Sequence, residues 1–250
     1  MNTGAGERPR PRATVARAGL SALSGLLHSR RVHDLLIADP LATWLLVASF
    51  VAFMAGEVVA TYVGQARNGR RRPVGAVIEA LLATGRRGNG HATRQDKGTF
   101  WLVVLIPRVA VIGVIILTVH SPAVRAGANT WGTFALALLL ILAGAALRDW
   151  SIFTLGRYFR RQVTIEPDQP LIRTGPYRCL RHPSYTGILI AFTGIGLAVG
   201  SWLAAAVALT AVLIALLPRI HVEETALRRA FPSEYDEYAN ATSRLIPHLW

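Results

Sequence analysis

The sequence predicts an all-α fold, a polytopic transmembrane helical bundle of about five crossings with a short helical hairpin near the C-terminus. Three observations carry this expectation. Hydrophobic residues make up 52% of the 250 and charged residues only 16%, the balance of a membrane protein rather than a soluble domain. The apolar residues arrive in long blocks instead of the narrow stripes of an amphipathic helix. The blocks end in charged or turn-forming residues, and crossing ~30 Å of hydrocarbon takes ~20 such apolar positions.

Residues 1–39 read as a basic tail. The first twelve are rich in Pro, Arg and Gly and too polar to pack. In 14–37, Val15, Leu20, Leu23, Leu26, Leu27, Leu35 and Leu36 alternate with Arg17, Arg30 and Arg31, which suggests a helix lying on the bilayer surface. Residues 40–155 supply three transmembrane helices, at 41–63, 100–120 and 131–147, the last continuing toward 155. Between the first two, 64–99 reads as a loop of Gly, Arg and Asn clusters around one interfacial helix at 74–82. Glu57 and Arg108 stand as the only charges well inside a span, placed to pair with each other.

The last unit is 156–250. Its apolar block at 188–217 is interrupted by Gly200-Ser201-Trp202 and is too long for one untilted crossing, so it reads as a hairpin of two short helices over 185–218.

A net charge of +13 would suggest nucleic acid in a soluble protein. Here the basic residues lie at the ends of apolar blocks, so membrane lipid headgroups are the expected partners, with no nucleic acid and no metal. With five crossings, eighteen Lys and Arg fall on the side of the two large loops and the C-terminus, and seven on the other. That asymmetry puts the loops and the C-terminus in the cytoplasm and the N-terminus outside. The single cysteine, Cys179, excludes an intramolecular disulfide and reads as a buried spectator thiol.

Reactive side chains concentrate in two blocks that flank the hairpin. The first runs Gly175-Pro176-Tyr177-Arg178-Cys179-Leu180-Arg181-His182-Pro183-Ser184-Tyr185-Thr186-Gly187. Proline is tolerated in a first helical turn, so Pro183 opens the fourth helix and leaves His182, Ser184 and Tyr185 at its mouth. The second runs from Arg219 through Glu223 and Glu224 to Phe231, Tyr235 and Tyr238. If the helix continues, Arg219 and Glu223 share one face, and the hairpin returns this block to the first. Taken singly, Arg178 and Arg181 could be snorkelling anchors and the tyrosines belt residues. Their joint occurrence argues for a site.

The pattern G-P-Y-x-x-x-R-H-P-S-Y-x-G, an apolar hairpin, then R-x-x-x-E-E-x-x-L-x-x-x-F-x-x-E-Y-x-x-Y, resembles the isoprenylcysteine carboxyl methyltransferase family over 157–247. The resemblance implies a membrane enzyme that transfers a methyl group from S-adenosyl-L-methionine to a lipophilic carboxylate entering from the bilayer, with the catalytic region in 156–250 and its site facing the cytoplasm. It implies a donor site formed by Gln162, Gln169, Pro170, Leu171, Ile172, Tyr177, His182, Pro183, Ser184, Tyr185 and Glu223, with Arg219 binding the acceptor carboxylate as the catalytic residue. A phospholipid N-methyltransferase, an NADPH-dependent membrane reductase and a non-catalytic membrane protein are the alternatives. Methyl transfer from a sulfonium to a carboxylate needs alignment and a partly dry setting rather than a nucleophilic side chain or a general base.

Overall fold

A computed structural model describes residues 39–66, 99–120, 130–159, 165 and 169–247, and within these the side chains of a few positions, Glu57 among them, lie outside the description. The expected surface helix in 14–37, the interfacial helix at 74–82, Gln162 and the Glu57–Arg108 pair therefore fall outside the described residues. Among the described residues every regular element is helical, and the strand-like pairing is one isolated bridge between Leu180 and Ser243.

Among the described residues six α-helices follow one another, with 3-10 turns at Gly156–Tyr158 and Gly175–Arg178: α1 Pro40–Ala66, α2 Thr99–His120, α3 Trp131–Leu155, α4 Pro183–Ala198, α5 Trp202–Ala230 and α6 Pro232–Ala241. Local chemistry sets their starts. Asp39 accepts the N–H groups of Leu41 and Ala42, which have no partner inside α1. Thr130 and Thr133 form a reciprocal capping box at α3. Ser201 Oγ accepts the N–H of Ala204 to start α5, and Gly200, at φ +80°, makes the turn from α4.

The five long helices alternate in direction. The N-termini of α1, α3 and α5 and the C-terminus of α4 meet in a cluster of Ala42, Phe134, Ala137, Leu197, Ala198 and Ala205. Val114, near the C-terminus of α2, joins that end through Val199 and Ala204. At the opposite end Val103 of α2, Tyr185 and Ile188 of α4, Ile220 of α5 and Leu245 pack together. In space α3 lies between α1 and α4, and α5 lies between α4 and α2.

Small residues bring α3 and α4 into backbone contact. A Cβ on Gly187 would lie 2.6 Å from the carbonyl oxygen of Gly144, and one on Gly194 would lie 2.7 Å from that of Ala137. Close approach of this kind is the usual use of glycine between membrane helices. It also matters for chemistry, because Arg148, one turn beyond Gly144, is delivered beside Ser184, one turn before Gly187.

Three expectations need correction. The hairpin is not two short helices: α4 has 16 residues but α5 has 29. Pro218 removes one N–H from the α5 ladder without ending the helix, so the second motif block lies on the same helix as the apolar block. Second, α3 runs to Leu155 as the apolar block suggested, which puts Arg148 and Asp149 inside a span-length helix too, so Glu57 and Arg108 are not the only charges so placed. Asp149 sits against Gly56 of α1, a position where a side chain would collide. Third, Cys179 is exposed rather than buried.

By length and composition α3 and α5 are the two helices able to cross a membrane, among the described residues. The outer surface is apolar, with Trp44, Phe50, Val109, Ile112, Leu139 and Ile214 all exposed. Apolar surface of this extent marks contact with something other than water.

Candidate active site

The two motif blocks converge where α4 begins and the apolar part of α5 ends. Arg219 is buried, and its Nε donates to the Tyr185 hydroxyl at 2.9 Å. That hydroxyl donates in turn to Glu223 Oε2 at 2.7 Å. Tyr185 thus bridges an arginine and a glutamate one helical turn apart on α5. The His182 ring stacks on Tyr185, with centroids 5.5 Å apart and planes 11° from parallel.

Glu223 and Glu224 are neighbours in sequence with different surroundings. Glu223 keeps a third of its side chain exposed, while Glu224 is 3% exposed. Glu224 Oε1 lies 3.1 Å from Arg181 Nε, 3.1 Å from Arg244 Nε and 3.3 Å from His182 Nε2. Its Oε2 accepts from Arg244 Nη2 at 3.1 Å, with Arg228 at 3.9 Å. A buried carboxylate is tolerated only when it is paired and hydrogen-bonded, and here three guanidiniums and an imidazole surround it. His182 lies between the two acids, its Nδ1 3.8 Å from Glu223 Oε2.

Tyrosines and a further arginine complete the wall. Burial, reinforced by the negative charge of Glu223, pushes the Tyr177 phenol well above its ordinary range. Burial likewise pushes Tyr238 up to about 12. Both phenols stay protonated near neutrality. Tyr238 uses its hydroxyl on the carbonyl oxygens of Tyr177 and Leu180, at 2.8 and 3.3 Å. Arg148 Nη1 donates to Ser184 Oγ at 2.7 Å.

The structure therefore brings together Tyr177, His182, Pro183, Ser184, Tyr185, Arg219 and Glu223. Gln169, Pro170, Leu171 and Ile172 form a non-helical stretch. The next residue, Arg173, ties that stretch to α6: it donates to the Glu234 carbonyl at 2.7 Å and lies over the Tyr238 ring. These contacts fasten the C-terminal end of the stretch to α6. Sequence reasoning gave no site role to Arg148, Glu224 or Arg244. Arg148 carries no local motif, and Arg244 lies in an unremarked tail. Glu224 had a signal, being a second acid one position after Glu223 and four before Arg228.

Glu223, half-buried and held at one oxygen, can offer its carboxylate to a hydroxyl or ammonium group.

An alternating helical bundle with its polar network gathered at one end defines a membrane-type enzyme fold, and relatives make the assignment specific. Residues 136–229 match the isoprenylcysteine carboxyl methyltransferase (ICMT) family. This match begins inside α3, ahead of the 157–247 stretch that carries the motifs, and so includes Arg148. A protein from Arabidopsis thaliana, protein-S-isoprenylcysteine O-methyltransferase B, is 30% identical over 173 residues, covering 68% of this chain and 86% of that protein. A probable protein-S-isoprenylcysteine O-methyltransferase from Oryza sativa subsp. indica is 34% identical over 122 residues, 48% of this chain. The chain spans 63% of that rice protein's length. The solved structure of the eukaryotic intramembrane Ras methyltransferase ICMT has the same fold, with a TM-score of 0.57 at 20% identity, over 86% of this chain and 70% of that one. The chain belongs to the isoprenylcysteine carboxyl methyltransferase family.

Proposed function

We propose that this protein is an S-adenosyl-L-methionine-dependent carboxyl O-methyltransferase acting on an isoprenylcysteine-like or other lipophilic carboxylate. The observation that carries the reading is the hydrogen-bonded chain Arg219–Tyr185–Glu223, which joins the two motif blocks at a helix end. Family membership and the names of the plant relatives support the same reaction.

S-adenosyl-L-methionine, when bound, supplies an electrophilic methyl group on a cationic sulfur. His182, Pro183, Ser184, Tyr185, Tyr177 and Glu223 would hold it, with Gln162 and 169–172 as further donor-binding residues. Arg219 offers a planar guanidinium to the acceptor carboxylate, a geometry that an ammonium group does not match. Tyr185 fixes the distance between the two functions, since its hydroxyl is engaged by both. The apolar packing around Tyr185, Ile188 and Phe192 excludes water from the exchange. The acceptor's hydrocarbon chain would lie against the same surface, in reach of the bilayer. The catalytic region is then 156–250, with Arg148 reaching in from α3.

Calorimetric titration of the detergent-solubilised protein with S-adenosyl-L-methionine, and separately with NADPH, is the direct test. Saturable binding of the first alone, followed by methyl ester formation on an S-farnesylated cysteine, is expected. Binding of NADPH instead would transfer the protein to reductase chemistry, and methylation of an amine lipid in place of the carboxylate would overturn the acceptor assignment.

The membrane reading in this proposal has five crossings, with the site facing the cytoplasm. It is supported by the alternation of α1 to α5 and by tryptophans near both ends of α3. Trp131 and Trp150 are both about half exposed, and the helical rise sets them ~28 Å apart, close to the hydrocarbon thickness. Single cysteines at positions 39 and 247, in a chain with Cys179 replaced by Ala, are expected to react from opposite sides of the membrane. Labelling of both from one side would refute the five-crossing count.

A further inference from the structure

Beyond α6 the chain turns back as an extended strap over the start of α4. Ser243 N–H donates to the Cys179 carbonyl at 3.0 Å, and the N–H groups of Arg181 and His182 donate to the carbonyls of Ser243 and Arg244 at 2.8 and 3.2 Å. Thr186 Oγ1 donates to the Leu245 carbonyl at 2.7 Å, and the Leu245 side chain is 1% exposed beneath Leu189, Val212 and Leu216. Arg181 Nη1 caps the end of α6, donating to the carbonyls of Ala239 and Thr242. The strap thus grips the same turn that carries His182, Pro183, Ser184 and Tyr185.

Arg244 holds His182 at two points. Its carbonyl accepts the His182 N–H. Its guanidinium makes a two-pronged contact to both oxygens of Glu224, whose Oε1 faces the imidazole Nε2 at 3.3 Å. A carboxylate held by one cation can rotate about its last bond, whereas a planar fork on both oxygens fixes its plane. We propose that Arg244 is a positioning residue: through Glu224 it sets the orientation of the His182 ring, and with it the methyl-donor site. This rests on the donor-site reading given above. The strap lies beyond residue 229, where the family match stops. The role is more than charge compensation, because Arg181, Arg228 and His182 still surround Glu224 when the Arg244 side chain is removed. The backbone half of the grip survives any side-chain substitution at this position.

The test uses the full chain in detergent, with donor affinity by calorimetry, acceptor KM with an S-farnesylated cysteine, and the thermal midpoint. Arg244→Ala is expected to weaken S-adenosyl-L-methionine binding about tenfold, the scale of one charged hydrogen bond, and to leave the acceptor KM within about twofold. Arg244→Lys restores the charge without the fork, so its midpoint should match the parent while donor affinity stays at least about threefold weaker. Parent-like donor binding in Arg244→Ala would overturn the proposal. Full recovery of affinity together with midpoint in Arg244→Lys would reduce Arg244 to a counter-charge and overturn it as well. Failure of the parent itself to bind S-adenosyl-L-methionine would instead remove the donor-site reading, and this proposal with it.

Discussion

Arg219→Ala is expected to reduce methyl transfer by about 10²–10³-fold, the effect of removing one preorganised group that stabilises the reacting charges, while S-adenosyl-L-methionine still binds within about threefold of the parent. The split follows from the hydrogen-bonded chain. Arg219 donates to the Tyr185 hydroxyl, and the hydroxyl donates onward to Glu223. Without the guanidinium the Tyr185–Glu223 bond at 2.7 Å persists, so the donor side keeps its geometry. A guanidinium would be poorly placed against a cationic sulfonium, since like charges a few Å apart repel even at moderate effective dielectric. Its place is on the acceptor side. Arg219→Lys should recover only part of the rate, because an ammonium cannot hold a hydroxyl and a carboxylate in one plane. Single-turnover methylation and calorimetry on the same preparations separate the two effects. Loss of donor binding in Arg219→Ala, with the fold retained, would overturn this division of roles. Full activity in that variant would argue for an amine acceptor.

The sequence disclosed the helical class and the convergence of the two motif blocks for a physical reason. Long apolar blocks have few alternatives to helix, and a hairpin between two polar blocks must return the second to the first. The extent of α5 was not legible, because Pro218 in sequence looks like a stop. In the structure α4 and α2 pack against this helix and carry it past the missing N–H. Arg148 was hidden for a related reason: only the backbone contact between Gly144 and Gly187 places it beside Ser184, and that contact joins residues 43 apart in sequence. Tyr235 and Tyr238 illustrate the opposite error. As isolated aromatics near a membrane they read equally well as belt residues, yet both are buried at 5% exposure or less, and Tyr238 spends its hydroxyl on the turn that holds Tyr177. The strap was illegible in principle, since three of its grips on the turn before α4 are main-chain hydrogen bonds that leave no mark on residue type.

The adjacent acids give the sharpest contrast in expected outcomes. Glu223→Gln should weaken S-adenosyl-L-methionine binding by about 1–3 kcal/mol, the range for a lost hydrogen bond to a charged group, with little change in thermal midpoint. The amide remains isosteric, can still accept from Tyr185, and a third of the side chain lies in solvent. Glu224→Ala should instead cost stability, by about 3–5 kcal/mol, the penalty for breaking a buried ionic network from one side. At 3% exposure Glu224 is the shared partner of Arg181, His182 and Arg244, and these residues come from the turn before α4 and from the strap. Removing it leaves cations facing each other with no intervening charge, while Arg181 must also keep capping the end of α6. Donor binding would then fall as a consequence of lost structure, together with the midpoint. Thermal denaturation and calorimetry on both variants decide the matter. Equal midpoints for the two, or a stable Glu224→Ala that binds the donor normally, would mean that the buried acid is not what holds the two halves of the site together.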